Sequence, residues 1–315
     1  MRDMVPVKLD FEEMKRFIAP LFLGLGLILI SAGCDGDSGS SAAAPKVRMT
    51  IDAQNFTPLK EGFTYKAWAR VGGVYLSADA FNVTETGQLL TSGSQLRDKS
   101  FVFEGDITDA DLIVISIEGK TGAGEVPSQS IMLAADVTGV TELLTTSHSA
   151  ALGGSLSSQT GQLTVMTPSD IDTSNEASGI WFLTVSGATM TKGLSLPTLN
   201  EGWVYEGWIE TGGARYSTGS FSSNTSLDTN LYSFPDSPPF PGEDFLINPP
   251  TGVTFPLNLD GGKVLITAEP EPDDSIAPSG IVVLTAQLPS TVVGGSVHQL
   301  VNTELALPTA TISIF

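Results

Sequence analysis

The stretch Glu61-Gly62-Phe63-Thr64-Tyr65-Lys66-Ala67-Trp68 returns 140 residues later as Glu201-Gly202-Trp203-Val204-Tyr205-Glu206-Gly207-Trp208. Gly72-Gly73 and Phe81 return at the same offset, as Gly212-Gly213 and Phe221. Further on, Ile113-Val114-Ile115-Ser116-Ile117-Glu118 matches Val264-Leu265-Ile266-Thr267-Ala268-Glu269, and Pro127-Ser128 matches Pro278-Ser279. The offset there is 151, so the second copy carries 11 extra residues, which fall in the Pro-rich stretch 233–252. A period this long means tandem domains, not a solenoid of short repeats. Inside each copy the periodicity is two. Phe63, Tyr65, Ala67, Ala69 and Val71 share one face, and Thr64, Lys66, Trp68 and Arg70 the other. Met49 and Ile51 alternate with Thr50 and Asp52 in the same way. The runs 112–117 and 281–286 are almost continuously apolar, as in strands buried on both faces. Gly-Gly, Asn, Asp and Pro punctuate the runs at turn positions. These patterns predict an all-β chain of two tandem β-sandwich domains with seven or eight short strands each.

Composition narrows the function. The chain has 315 residues, 15 Lys+Arg against 35 Asp+Glu, and a formal charge of −20. Its hydrophobic fraction of 41% is too high for a disordered chain. The acidic balance opposes binding to nucleic-acid phosphate. One Cys and two His exclude a disulfide framework and a multi-Cys zinc site.

The only Cys is informative by position. Met14-Lys15-Arg16 precedes an apolar run, 17–30, of 14 residues. That is shorter than the roughly 20 a membrane-spanning helix needs, and within the span of a secretory signal core. Ile30-Ser31-Ala32-Gly33-Cys34 then resembles a bacterial lipobox, with Ser31 where Leu is usual. The resemblance implies cleavage before Cys34 and a diacylglycerol on its thiol. The acidic residues ahead of Met14 point to Met14 as the true start. Residues 1–33 are therefore read as a signal peptide and 34–45 as the lipidated Cys34 with a flexible tether. The first repeat spans 46–171, the polar segment 173–178 joins the copies, and the second repeat spans 179–315. The lipobox resemblance implies a location outside the cytosol. Asp35 resembles an inner-membrane retention signal in some bacteria, and the choice between inner and outer membrane stays open.

The second copy carries Leu196-Pro197, Glu201-Gly202, Tyr205, Trp208, Gly212-Gly213, Gly219, Phe221, Glu269-Pro270 and Pro278-Ser279-Gly280. This pattern resembles the extracytoplasmic C-terminal domain of the anti-sigma-K factor family, over most of residues 194–286. The first copy matches less well, with Gly119 where the Glu-Pro falls. Family members place a sigma-binding module ahead of one membrane helix. Here at most sixteen residues precede the apolar run, and they hold no Cys or His. The resemblance implies the fold and the location. No direct sigma-factor binding is expected.

Trp68 and Trp208 lie opposite the Tyr face and are the candidate binding surface. Trp68 stands between Lys66 and Arg70, Trp208 between Glu206 and Glu210. The sign reversal raises the idea that these two charged faces meet. The acidic clusters Asp106/Asp109/Asp111 and Glu269/Glu271/Asp273/Asp274 lack Ca²⁺-loop spacing. Gly119-Lys120-Thr121 lacks the earlier Gly and the helix of a phosphate loop. Gly36-Asp37-Ser38-Gly39 imitates a serine-protease motif on a tether that cannot hold a nucleophile. His148 and His298 read as surface residues. No catalytic, metal or cofactor site is assigned. The expected function is a non-enzymatic, lipid-anchored binding or structural module of the bacterial cell envelope. Its partners are the membrane, through Cys34, and an envelope protein or glycan. The alternative is a sensory or regulatory protein related to anti-sigma factors but lacking the sigma-binding domain.

Overall fold

Two-residue alternation becomes strand wherever one face can be buried. The computed structural model describes residues 48–119, 124–229, 237–272, 277–303 and 306–315. Cys34, the signal peptide and the tether lie outside these residues, as do Lys120, Thr121, Asp273 and Asp274.

The first copy opens with β1 (Arg48–Gln54), whose Met49 and Ile51 are fully buried. Then comes β2 (Thr64–Val71), which buries Tyr65, Ala67 and Ala69 on its inner face. Gly72 and Gly73, at φ +57° and +83°, turn it into β3 (Val74–Ser77). Two successive positive φ angles make the hairpin turn that matches strand twist, and Gly adopts them without strain. The short strands β4 (Phe81–Val83), β5 (Leu89–Thr91) and β6 (Ser100–Val102) follow. The central strand β7 (Leu112–Glu118) is buried at every position. It is followed by β8 (Ile131–Asp136) and β9 (Thr141–Thr145).

After β9 the chain forms β10 (Thr160–Val165) and one short 3₁₀ turn (Glu176–Ser178). Next are β11 (Ile180–Trp181), the hairpin β12 (Leu183–Ser186) and β13 (Thr189–Lys192), and β14 (Leu194–Ser195). The second copy continues through β15 (Trp203–Thr211), β16 (Ala214–Phe221), β17 (Gly242–Glu243), β18 (Lys263–Pro270), β19 (Val282–Gln287), β20 (Val297–Asn302) and β21 (Thr309–Ile314).

The all-β class is observed. One sheet runs β5-β4-β2-β7-β8-β9-β21-β1-β6, with β3 also on β2. The other runs β16-β15-β18-β19-β20-β10-β11-β17, with β14 also on β10. Each sheet curls on itself instead of stacking as two flat layers. In the first, a bridge between Ala78 and Phe103 brings the β3 and β6 ends together.

The run β2-β7-β8-β9-β21-β1 of one sheet is equivalent to β15-β18-β19-β20-β10-β11 of the other, and this exposes an exchange. β21 sits between β9 and β1, and β10 takes the same place between β20 and β11. Each is the strand that follows its own copy in sequence, yet each completes the sheet of the other copy. The two strands are alike: Thr160, Leu163 and Val165 correspond to Thr309, Ile312 and Ile314. Their registers agree as well, with Gly161 opposite Leu300 and Ala310 opposite Leu144. The spatial halves therefore differ from the linear division at residues 171 and 179. The strand 160–165 belongs with the second sheet and 309–314 with the first.

Further contacts tie the halves together. The Asn200 side-chain amide donates to the Ser149 and Ala151 carbonyls at 2.8 and 2.7 Å. Thr57 Oγ1 donates to the Ser279 carbonyl at 2.9 Å, and Trp203 Nε1 to the Ile131 carbonyl at 3.2 Å. One continuous cluster of buried apolar side chains runs through both sheets. The described residues accordingly form a single compact unit.

Candidate functional site

The duplicated motif builds a duplicated hydrogen-bond relay. Trp68 Nε1 donates to Ser116 Oγ at 2.9 Å, and Ser116 donates on to Glu118 Oε1 at 2.5 Å. The Ser128 backbone N–H reaches the same carboxylate at 3.2 Å. In the second copy Trp208 Nε1 donates to Thr267 Oγ1 at 2.9 Å, and Thr267 donates to Glu269. Glu269 also accepts the Ser279 N–H at 2.7 Å. Both Ser hydroxyls close the turn on a carbonyl, Ile117 at 2.7 Å and Ala268 at 2.6 Å. The tyrosines repeat too: Tyr65 and Tyr205 each donate at 2.8 Å to the carbonyl eight residues upstream, of Thr57 and Pro197. A carboxylate this deep needs several donors, because burying an unpaired charge is costly.

This arrangement corrects the reading of Trp68 and Trp208 as a binding surface. They are 1% and 3% exposed. Strand alternation does place them opposite the Tyr face, but that face is covered as well. Over Trp68 lie Leu112, Val114, Ala134 and Ala151, the last carried in by a turn far along the chain. The Lys66 ammonium sits 4.5 Å from the ring centroid. The two charged faces do not pair either. Arg70 makes a two-pronged pair with Asp111 at 2.9 Å, Arg215 pairs with Glu210, and Ser217 donates to Glu206.

The other candidates take ordinary roles. Asp106 accepts from Thr108 in a local turn. Among the described residues no group of three His, Cys, Asp or Glu is placed to hold a metal ion. His148 Nδ1 accepts the Ala150 N–H at 3.1 Å, and burial lowers the His298 pKa.

Two features were not read from sequence. The first is a buried acidic staple in the Pro-rich insertion. Trp181 Nε1 donates to Asp244 Oδ1 at 2.5 Å, and the Ser169 N–H to Asp244 Oδ2 at 3.1 Å. Burial raises the Asp244 carboxyl to about 6 and that of nearby Asp228 to about 8. The Gly242 N–H on Asp228 works against the rise, and the Glu243 charge adds to it. The Gly242-Glu243-Asp244 run was visible, but its burial depends on β11, an element sixty residues away.

The second is a cleft between the halves, with a cavity of about 310 Å³. The loop 57–63 of the first copy overhangs the outer face of β18, along Lys263, Leu265 and Glu269, with Val282 of β19 beside it. At about 3.3 Å per residue that face is some 20 Å long. Its walls are apolar: Pro58, Leu59, Phe63, Leu265, Pro278 and Val282. Charges also line it: Lys60, Arg215 and Lys263 against Glu85, Glu210 and the hydrogen-bonded Glu269. A concave, mostly apolar surface with a few polar groups is the common form of a small-molecule site, and this one is at the small end of the range. Its location between two copies is not legible in either copy alone.

No protein-family model, no curated protein and no solved structure matches this chain.

Proposed function

We propose that this protein is a lipid-anchored, extracytoplasmic binding module of a bacterial cell envelope, without enzymatic activity. It is held to the membrane through acylated Cys34 and takes its ligand in the cleft between the halves. The cleft carries this reading, because it is the concave surface to which both copies contribute apolar walls and charged side chains. The signal core, the single Cys directly after it and the Asp/Gly/Ser/Ala-rich segment that follows support the anchor. Regulation in the manner of anti-sigma relatives is the second reading, supported by the Glu-Gly, Tyr and Trp motif. In this chain the Tyr and Trp of that motif are framework, donating to backbone and to the buried relay.

The test is expression of the full chain in a bacterial host, followed by mass analysis of the mature protein. The expected product begins at Cys34 with a diacylglycerol on its thiol and fractionates with membranes. Cys34→Ser is expected to remain unprocessed. An unacylated wild-type chain in the cytosol overturns the proposal.

A further inference from the structure

Nine Lys and Arg lie among the described residues: Arg48, Lys60, Lys66, Arg70, Arg97, Lys99, Lys192, Arg215 and Lys263. Three of these nine, Lys60, Arg215 and Lys263, line the one cleft, in a chain of net charge −20. Arg215 is neutralised by Glu210. Lys60 and Lys263 are exposed and have no ion-pair partner among the described residues. Glu85, also exposed, is the carboxylate that faces them without a fixed partner.

The rest of the cleft restricts what such cations can hold. β18 is a central strand, paired on both sides by β15 and β19. Over Lys263–Ala268 its backbone is taken up on both sides, so an extended peptide cannot add to the sheet there. Trp208 lies beneath the surface, so the floor is aliphatic, with Leu265 and Val282, and Phe63 is the one aromatic side chain among the described lining residues. What remains is a narrow apolar trough with ammonium groups at its rim.

We propose that the cleft binds a single-chain anionic amphiphile, an alkyl tail bearing a carboxylate or phosphate. The tail lies along Leu59, Phe63, Leu265 and Val282, and the head sits between Lys60 and Lys263. This rests on the cleft being the binding site and deepens that reading by naming the ligand class.

The experiment is calorimetric titration of the chain from Cys34 onward, carrying Cys34→Ser. Dodecanoate and dodecyl phosphate are used below their micelle concentrations. Dodecyl maltoside and dodecyltrimethylammonium are the controls with the same tail. Saturable one-to-one binding of an anionic probe is expected, and the tighter of the two identifies the head group. Lys60→Gln with Lys263→Gln should weaken it by about tenfold or more, the loss falling at high salt. Leu59→Glu should abolish it, and Lys192→Gln on β13 should leave it unchanged. Melting curves of each variant separate lost binding from lost fold. Equal affinity for the cationic probe, or no change in the double Gln variant, overturns the proposal. Acylated Cys34 with no amphiphile binding sinks this inference alone. Binding without acylation sinks only the anchor.

Discussion

Glu118 and Glu269 are the residues on which the two copies depend most locally. Each carboxylate gathers a hydroxyl and a backbone N–H in a site 3% and 1% exposed. Replacing either with Ala strands those donors, and hydrogen bonds to a charged group are worth about 1.5–3 kcal/mol each. Glu118→Ala and Glu269→Ala should each lower unfolding free energy by about 2–4 kcal/mol, read by urea melts. Trp208→Phe removes one hydrogen bond and some packing and should cost less than Glu269→Ala, which strands two buried donors. The offset of 151 already aligned Ser116 with Thr267, Glu118 with Glu269 and Ser128 with Ser279. What it could not show was the Trp indole reaching across from a neighbouring strand. The covering of Trp68 was equally hidden, since Ala151 arrives from eighty residues downstream.

At the level of the strand, alternation identifies an element but not its neighbour. The pattern of β10 and β21 is as plain as any in the chain, yet either would suit either sheet. Their similarity made the exchange invisible from sequence and makes it physically possible. The slots differ in one respect. At Gly161 an added Cβ would lie 2.7 Å from Leu300 Cδ1 and 2.9 Å from Leu284 Cδ1, whereas the equivalent position in β21 is Ala310. Gly161→Ala should therefore destabilise by about 1–3 kcal/mol through overpacking. Ala310→Gly should cost only about 0.5–1 kcal/mol in backbone freedom. Ile312 is fully buried in β21, so Ile312→Ala should cost about 2–5 kcal/mol. Because β21 closes the first sheet from the far end of the chain, that loss should appear in one shared transition. Separate melting of the two halves, followed by Trp fluorescence and far-UV dichroism, would contradict this.

Over the whole molecule the buried acids set the response to pH. The Asp228 and Asp244 carboxyls lie at about 8 and about 6, above their ordinary unfolded value near 4. Between pH 4 and 8 the folded state thus holds more protons than the unfolded one. The stability they provide is complete below pH 4 and is lost as pH rises through 6 and then 8. Asp106, Asp111, Glu142 and Asp172 act the other way. Hydrogen bonds lower each of them, with Arg70 as the donor to Asp111, so their contribution is lost only in strong acid. The melting temperature should be higher at pH 5 than at pH 8.5. Asp228→Asn keeps an acceptor for the Gly242 N–H and should flatten that slope, a result scanning calorimetry would check.

The exchanged strands also govern the order in which the molecule can be completed. β9 ends at Thr145 and its partner β21 begins at Thr309, 164 positions further along the chain. At about 5–20 residues per second, synthesis takes about 8–30 seconds to cover it. Throughout that interval the leading half exposes unpaired edges on β9 and β1, a template for aggregation. A nascent chain of this design cannot close its first sheet with β21 until that strand has emerged.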